Sequence, residues 1–280
     1  MKHKRESKAF KFFAYTLLII LTIMSILPFW IMFVNATRST FEIQQHALSL
    51  IPSTFLKSNW AAVSGKSFNP FRGFMNSAII STGCTFCTVY FSTLTAFAIV
   101  AYRWRGRDAF FTFVMAIMMI PTQVTMIGFY KMCYKLGMTN SFIPLILPAI
   151  AAPSTVFFMR QYMLPNLPME ILESARVDGS SEVRTFNQIV IPMVKPAMAT
   201  QAIFCFVNSW NRLFEPMILL TDKEMYTMPI MVSLLKGDAY KTEYGAIYLA
   251  LALSVLPLFI VYFALSKYII AGVALGGVKG

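Results

Sequence analysis

The chain has 280 residues, of which 57% are hydrophobic and only 13% charged, against about 25% charged in an ordinary soluble domain. A soluble fold of this size has no place for 26 phenylalanines among so few charges, so soluble enzymes, soluble binding proteins and disordered chains are excluded and a protein that crosses a membrane several times remains. The net charge of +12 fits basic residues at helix ends facing anionic head groups, and no basic stretch interleaved with aromatics lies outside the apolar runs to suggest nucleic acid.

A bilayer core needs about 20 apolar residues per helix. Six runs meet this, and they predict an all-α integral membrane protein, a single transmembrane domain over 1–280 with spans at 12–34, 74–102, 109–130, 136–159, 197–220 and 244–266. The first run follows a basic segment, Lys2, Lys4, Arg5, Lys8 and Lys11, but is too long for the apolar core of a signal peptide; it is expected to stay as an uncleaved helix. Prolines 28, 121, 144, 148, 153, 216 and 257 fall in or beside the runs, which a membrane helix tolerates when neighbours satisfy the freed carbonyls.

Arg103, Arg105 and Arg107 crowd the short second-to-third connection. Positive charge in short loops marks the inside, which predicts cytoplasmic N- and C-termini. Two connections stand out on this reading. The outer loop 35–73 is long and polar enough to meet an external partner, and the cytoplasmic loop 160–195 carries helical patterning of its own.

In that loop Pro168 suits a first helical turn, Glu170 and Glu173 lie near its positive end, Arg176 lies in its last turn, and Gly179 stands where a left-handed residue closes a helix. Ser180 or Ser181 can cap a second helix with Glu182 in its first turn; Val183, Phe186, Ile189 and Val190 form its apolar face and Pro192 is expected to end it. Two short cytoplasmic helices joined by a tight turn are therefore expected between the fourth and fifth spans.

At these residues the chain resembles a known family. Glu173-Ser174-Ala175, three residues, Gly179, nine residues, then Ile189-x-Ile191-Pro192 is similar to the "EAA" loop of ABC-importer permeases, with Ser for one Ala and Ile for a Leu. Trp210-Asn211, followed by Phe214 and Pro216, and the tail Gly276 to Gly280 resemble the carbohydrate-uptake permeases of the maltose-transporter type. The resemblance implies a bacterial cytoplasmic-membrane subunit that pairs with a second homologous permease, two ATPase subunits and an extracellular solute-binding protein. It implies a sugar, an oligosaccharide by subfamily, as the solute. Cofactors are expected to be none in this chain, ATP and Mg being bound by the partner ATPase. The coupling residues it implies are Glu173, Ser174, Ala175, Asp178, Gly179, Ile189 and Pro192.

The residues themselves bear on this. The chain has no nucleotide site: Gly65-Lys66-Ser67 ends like a Walker A loop, but Trp60 stands where its first glycine belongs. Energy must then come from a partner that docks on the cytoplasmic loop, with Glu173 offering a carboxylate, Ala175 permitting close approach and Gly179 holding the turn. Asn208, Trp210, Asn211, Arg212 and Glu215 place polar and amphipathic groups in the outer half of the fifth span, where they either line a solute path or form a structural pair beside an interfacial tryptophan. Ser and Thr on the second span, Asn76 to Thr95, either line that path or bond helices together. Met115, Met118, Met119 and Met126 read as flexible packing. No metal site is expected, and no catalytic residue, since the spans hold no His, no Asp and only Glu215. The competing readings are an ABC permease for a peptide or polyamine, and a stand-alone carrier, which would want an intramembrane acid and an inverted repeat.

Overall fold

The computed structural model describes residues 8–64, 69–235 and 242–277. Gly65-Lys66-Ser67, the basic residues before Lys8 and the last three residues of the glycine-rich tail lie outside them. Among the described residues there is no strand. The helices are α1 (Lys8–Asn35), α2 (Thr40–Gln45), α3 (Leu56–Ser64), α4 (Pro70–Ala101), α5 (Arg107–Ile117), α6 (Thr122–Lys135), α7 (Ile143–Ile146), α8 (Pro153–Asn166), α9 (Met169–Val177), α10 (Glu182–Thr185), α11 (Ile191–Trp210), α12 (Phe214–Leu219), α13 (Met228–Leu234) and α14 (Tyr244–Gly277). Among the described residues five stretches are long and apolar enough to cross a membrane: Lys8–Asn35, Pro70–Ala101, Ile143–Asn166, Glu182–Trp210 and Tyr244–Ser266.

Three expected spans take a different form. The run 109–130 is not one helix: α5 stops at Ile117 and α6 starts at Thr122, because Pro121 has no N–H to donate and its ring opposes the preceding turn. The fourth span starts at Ile143 and not at 136, and it is assembled from α7, a 3-10 turn Leu147–Ile150 and α8. The fifth starts at Glu182, since Pro192 does not end the second loop helix. A π-turn, Phe186–Val190, precedes it, Pro192 sits in the first turn of α11, and the helix runs on to Trp210. A π-turn widens the coil and absorbs a residue that the regular bonding ladder cannot accommodate.

The chain divides into two compact units, Met1–Pro70 with Met231–Leu256, and Phe71–Ile230 with Pro257–Gly280. In the first, α1 exposes nearly all of its apolar side chains, a surface suited to lipid and not to water. The segment after it is a folded loop built on buried Arg38, whose guanidinium donates to Asn35 Oδ1 (3.3 Å) and to the carbonyls of His46 (2.6 Å) and Glu42 (3.0 Å). Ser39 and Glu42 cap α2 reciprocally. The Ser39 N–H and the Ser53 hydroxyl both donate to the Glu42 carboxylate, and the Ser39 amide foremost holds its pKa below the usual value. Asn59 donates to the carbonyls of Ala36 and Arg38, both at 2.9 Å. Gly245 closes on this knot: a Cβ there would lie 2.6 Å from the Asn59 amide and would strike the Arg38 carbonyl.

The second unit is organised around α4. One cluster joins Ala96 and Phe97 of α4 to Met159, Met163, Leu172, Phe186, Val190 and Val194. Another joins Ile80 and Cys84 to Cys133, Leu145, Leu219, Leu220 and Ile230. The polar side chains of α4 bond outward to irregular backbone. Asn76 donates to the carbonyls of Glu224 (2.9 Å) and Tyr226 (3.0 Å), and the Met228 N–H donates to Ser77 (2.9 Å). Cys84, Thr88 and Ser92 donate to the carbonyls of Leu145 (3.2 Å), Ala149 (3.0 Å) and Ala152 (3.4 Å). Two of these carbonyls are orphaned by proline. Pro153 cannot supply the N–H that an α-helix would offer Ala149, and Pro148 cannot supply the one that a 3-10 turn would offer Leu145. These α4 groups therefore bond elements together; Thr85, Thr93 and Thr95 bond only their own helix.

Thr88→Val keeps the shape and removes the donor to Ala149. It is expected to destabilise the detergent-solubilised protein by about 1–3 kcal/mol, read as a lowered midpoint of thermal unfolding, while Thr85→Val stays within about 0.5 kcal/mol of the parent. Gly245→Ala is expected to lose about 1–3 kcal/mol through overpacking in the same measurement. Gly128→Ala, whose Cβ meets nothing within 4 Å, is expected to gain about 0.5–1 kcal/mol from helix propensity alone.

Candidate functional site

Two places collect the expected site residues. The first is the helical hairpin of α9 and α10. Its turn is a complete Schellman closure: the Ser180 N–H donates to the Ala175 carbonyl (2.9 Å) and the Gly179 N–H to the Arg176 carbonyl (3.0 Å). Gly179 stands at φ +75° with nothing within 4 Å of where a Cβ would be. A side chain would meet no neighbour, so any penalty comes from the left-handed backbone itself. Ser181 then caps α10, accepting from the Arg184 N–H.

The hairpin has two faces. Leu172, Ala175, Phe186 and Val190 are buried in the cluster that includes Phe97, Met159 and Met163. Glu173, Ser174, Asp178 and Gly179 are exposed, and so are Val177 (88%) and Val183 (71%). Of the expected residues, Ala175 is therefore an anchor, Ile189 is half-buried, and Pro192 belongs to the start of α11. Val183 leaves the apolar face that its spacing suggests: it is exposed while Phe186 and Val190 are buried. Val177 carries no sequence signal, since it is one apolar residue in a last helical turn. Two exposed valines flanking a glycine turn beside a free-standing carboxylate make a surface of mixed character.

The second place is a cavity of about 340 Å³ lined by Thr125, Met126 and Phe129 of α6, by Pro144, Leu145 and Pro148 of the broken fourth stretch, and by Arg212 and Glu215. Arg212 does not sit within a spanning helix. α11 ends at Trp210, Asn211 caps it, and Glu215 lies in the first turn of the separate short α12. The guanidinium Nε lies 3.7 Å from the Glu215 carboxylate, each side chain a little over a third exposed. Trp210 is elsewhere: it is buried, edge-on to Phe74 at 5.4 Å and stacked with Phe206 at 5.6 Å, so both neighbours occupy surface that a sugar would need. Asn208 and Asn211 are exposed and do not line the cavity. Arg212 and Glu215 are thus brought together, while the other three path candidates are not. Pro144, Pro148 and Phe129 were missed as lining residues; their signal was the proline spacing, which breaks the helix and opens space beside it. Met126 turns from packing into cavity wall.

Among the described residues no group of His, Cys, Asp and Glu could hold a metal ion.

Comparison with known proteins places these features. The family model for the inner membrane component of binding-protein-dependent transport systems matches residues 89–274, which contain the hairpin and the cavity. The arabinooligosaccharides transport system permease protein AraQ of Bacillus subtilis is 31% identical over 282 residues, covering all of both chains. The sn-glycerol-3-phosphate transport system permease protein UgpE of Escherichia coli K12 is 29% identical over 266 residues, covering 93% of this chain and 94% of its own. The crystal structure of a bacterial ABC transporter involved in the import of the acidic polysaccharide alginate has a chain with the same fold (TM-score 0.76, 21% identity, 96% and 99% covered). The match across about two thirds of the sequence, together with 31% identity to AraQ over the whole of both chains, establishes that the chain belongs to the family of inner membrane components of binding-protein-dependent transport systems.

Proposed function

We propose that the chain is the permease subunit of an ATP-driven importer that moves a sugar, an oligosaccharide, across the bacterial cytoplasmic membrane. In this reading 1–280 acts as one transmembrane domain with six crossings, α5 and α6 together making the third, and with both termini in the cytoplasm. At about 1.5 Å per residue the two helices are long enough in tandem. The chain works with a second homologous permease, two ATPase subunits that bind ATP and Mg, and an external binding protein.

The observation that carries the proposal is the two-faced hairpin. One face is fixed in the core by Leu172, Ala175 and Phe186; the other presents Glu173, Val177, Asp178 and Val183 to solvent. A passive connector has no reason to expose valine beside a rigid turn. A docking element does, because exposed apolar groups rimmed by charge mark interaction sites. Glu173 and Asp178 then meet the ATPase, Ser174 allows close approach, Ala175 anchors the opposite face in the core, and Ile189 and Pro192 carry the motion into α11.

The cavity bears on the solute. Its lining holds one cation, Arg212, and that is paired with Glu215. A charge-balanced wall suits a neutral polyhydroxyl solute better than a phosphate or carboxylate, which would need an uncommitted cation. This favours the solute class of the arabino-oligosaccharide permease over those of the glycerol-3-phosphate and alginate systems.

Affinity purification of the tagged chain in mild detergent from its native cell is expected to bring down a second multi-span permease and an ATPase with a Walker A motif, identified by mass spectrometry. Recovery of the chain alone after repeated mild extraction would overturn the proposal. In the assembled importer, Gly179→Val is expected to leave membrane abundance unchanged and to cut uptake at least about ten-fold, a local strain of about 1–2 kcal/mol acting at the docking turn. Gly179→Asn, which tolerates the left-handed region, is expected to keep most of the activity.

A further inference from the structure

Apolar burial holds α9 against the core, but burial is non-directional. It resists separation of α9 from its neighbours and does little to stop α9 sliding or turning beneath them. A polar cluster at one edge of the hairpin supplies the missing direction. Tyr102, the residue after α4, donates its hydroxyl to one oxygen of Glu182. Arg176 of α9 donates its Nε to the other oxygen at 2.9 Å. The Arg176 guanidinium also lies over the Tyr102 ring, 5.1 Å from its centroid. Each member therefore touches both others.

The triangle joins three different elements. Tyr102 continues α4, and its ring packs edge-on to Phe97 of that helix at 5.6 Å. Arg176 lies in the last turn of α9. Glu182 is the first residue of the continuous stretch Glu182–Trp210. Hydrogen bonds to a charged acceptor are stronger and more directional than neutral ones, and here both carboxylate oxygens are committed. Burial pushes the Tyr102 phenol above its ordinary pKa, and its bond to Glu182 acts in the same direction, so the hydroxyl remains a donor in any physiological medium.

We propose that Tyr102, Arg176 and Glu182 form the linkage through which displacement of α9 is passed to α4 and to α11. They are positioning residues, not solute contacts. The linkage rests on the reading of α9 as the element that an ATPase partner moves, and it adds which groups make that movement reach two membrane helices together. A hairpin held by apolar contact alone could yield under load; a closed triangle of directional bonds moves as one piece.

The test uses the complete importer, purified with its partners in a background where the four native cysteines are replaced. Spin labels go on two exposed positions outside the triangle, Glu170→Cys on α9 and Leu94→Cys on α4. The distance between them is measured by pulsed electron resonance without nucleotide and with a non-hydrolysable ATP analogue and Mg. With the linkage intact the distance is expected to stay constant on adding nucleotide. With Tyr102→Phe, and separately with Glu182→Gln, it is expected to shift by about 1–2 Å or more, the scale of helix displacements in switching proteins, or to broaden on nucleotide addition only. A parent distance that shifts as far as the variants' overturns the linkage, and so does a distance that stays constant in both variants. A variant that fails to assemble with the ATPase assigns the triangle a purely structural role and also overturns it. Failure of the parent chain to recover any ATPase is the separate result that removes the coupling reading itself.

Discussion

Within a bilayer every backbone N–H and C=O must find a partner inside the protein, and much of this structure follows from how the chain meets that demand around its prolines. Pro121, Pro148 and Pro153 each interrupt a stretch that hydropathy alone would draw as one rod, and Pro192 follows a π-turn at the start of α11. The interruptions are repaired in two ways. Around Pro148 and Pro153 the repair comes from outside the stretch, with Cys84 and Thr88 of α4 donating to Leu145 and Ala149. Before Pro192 it comes from within, through a π-turn that lets α11 continue. Two polar side chains of α4, the Cys84 thiol and the Thr88 hydroxyl, thus stand in for main-chain donors that the prolines removed.

The same breaks create the features used for function. Where the fourth stretch departs from α-helix, Pro144 and Pro148 leave space that α6 and the Arg212–Glu215 pair enclose as a cavity. Where the fifth stretch is extended toward its start, the hairpin of α9 and α10 is tied directly to a long helix, with no flexible connector between them. In the proposed importer this continuity is what lets force applied at the hairpin reach the membrane segments. The hairpin's split character follows from packing and turn chemistry together. Leu172 and Ala175 fall one turn apart and enter the core, and the Schellman closure at Gly179 fixes where Val177 and Val183 emerge.

The folded loop after α1 obeys a related rule on a smaller scale. Arg38 is buried, and it is tolerated because its guanidinium donors are met by two carbonyls and an amide oxygen of the same loop. Asn59 and the close approach of Gly245 complete the knot. The connection that its length and polarity single out in the sequence is thus a shaped surface.

The sequence by itself determined the membrane class, three of the five long apolar stretches of the described residues close to where they lie, the turn at Gly179 and the caps around it. These depend on local quantities: run length, spacing of apolar residues, and the backbone preferences of Gly, Ser and Pro. The tertiary structure alone decided the rest. It made Trp210 a packing residue, because Phe74, far away in sequence, takes its edge. It ended the fifth helix before Arg212 and set the Arg212–Glu215 pair into the wall of a cavity with α6 and the broken fourth stretch. It also closed Tyr102, Arg176 and Glu182 into one cluster from three separate elements. Such outcomes turn on which distant side chain reaches an orphaned carbonyl or fills a face, and that information exists only once the helices are packed.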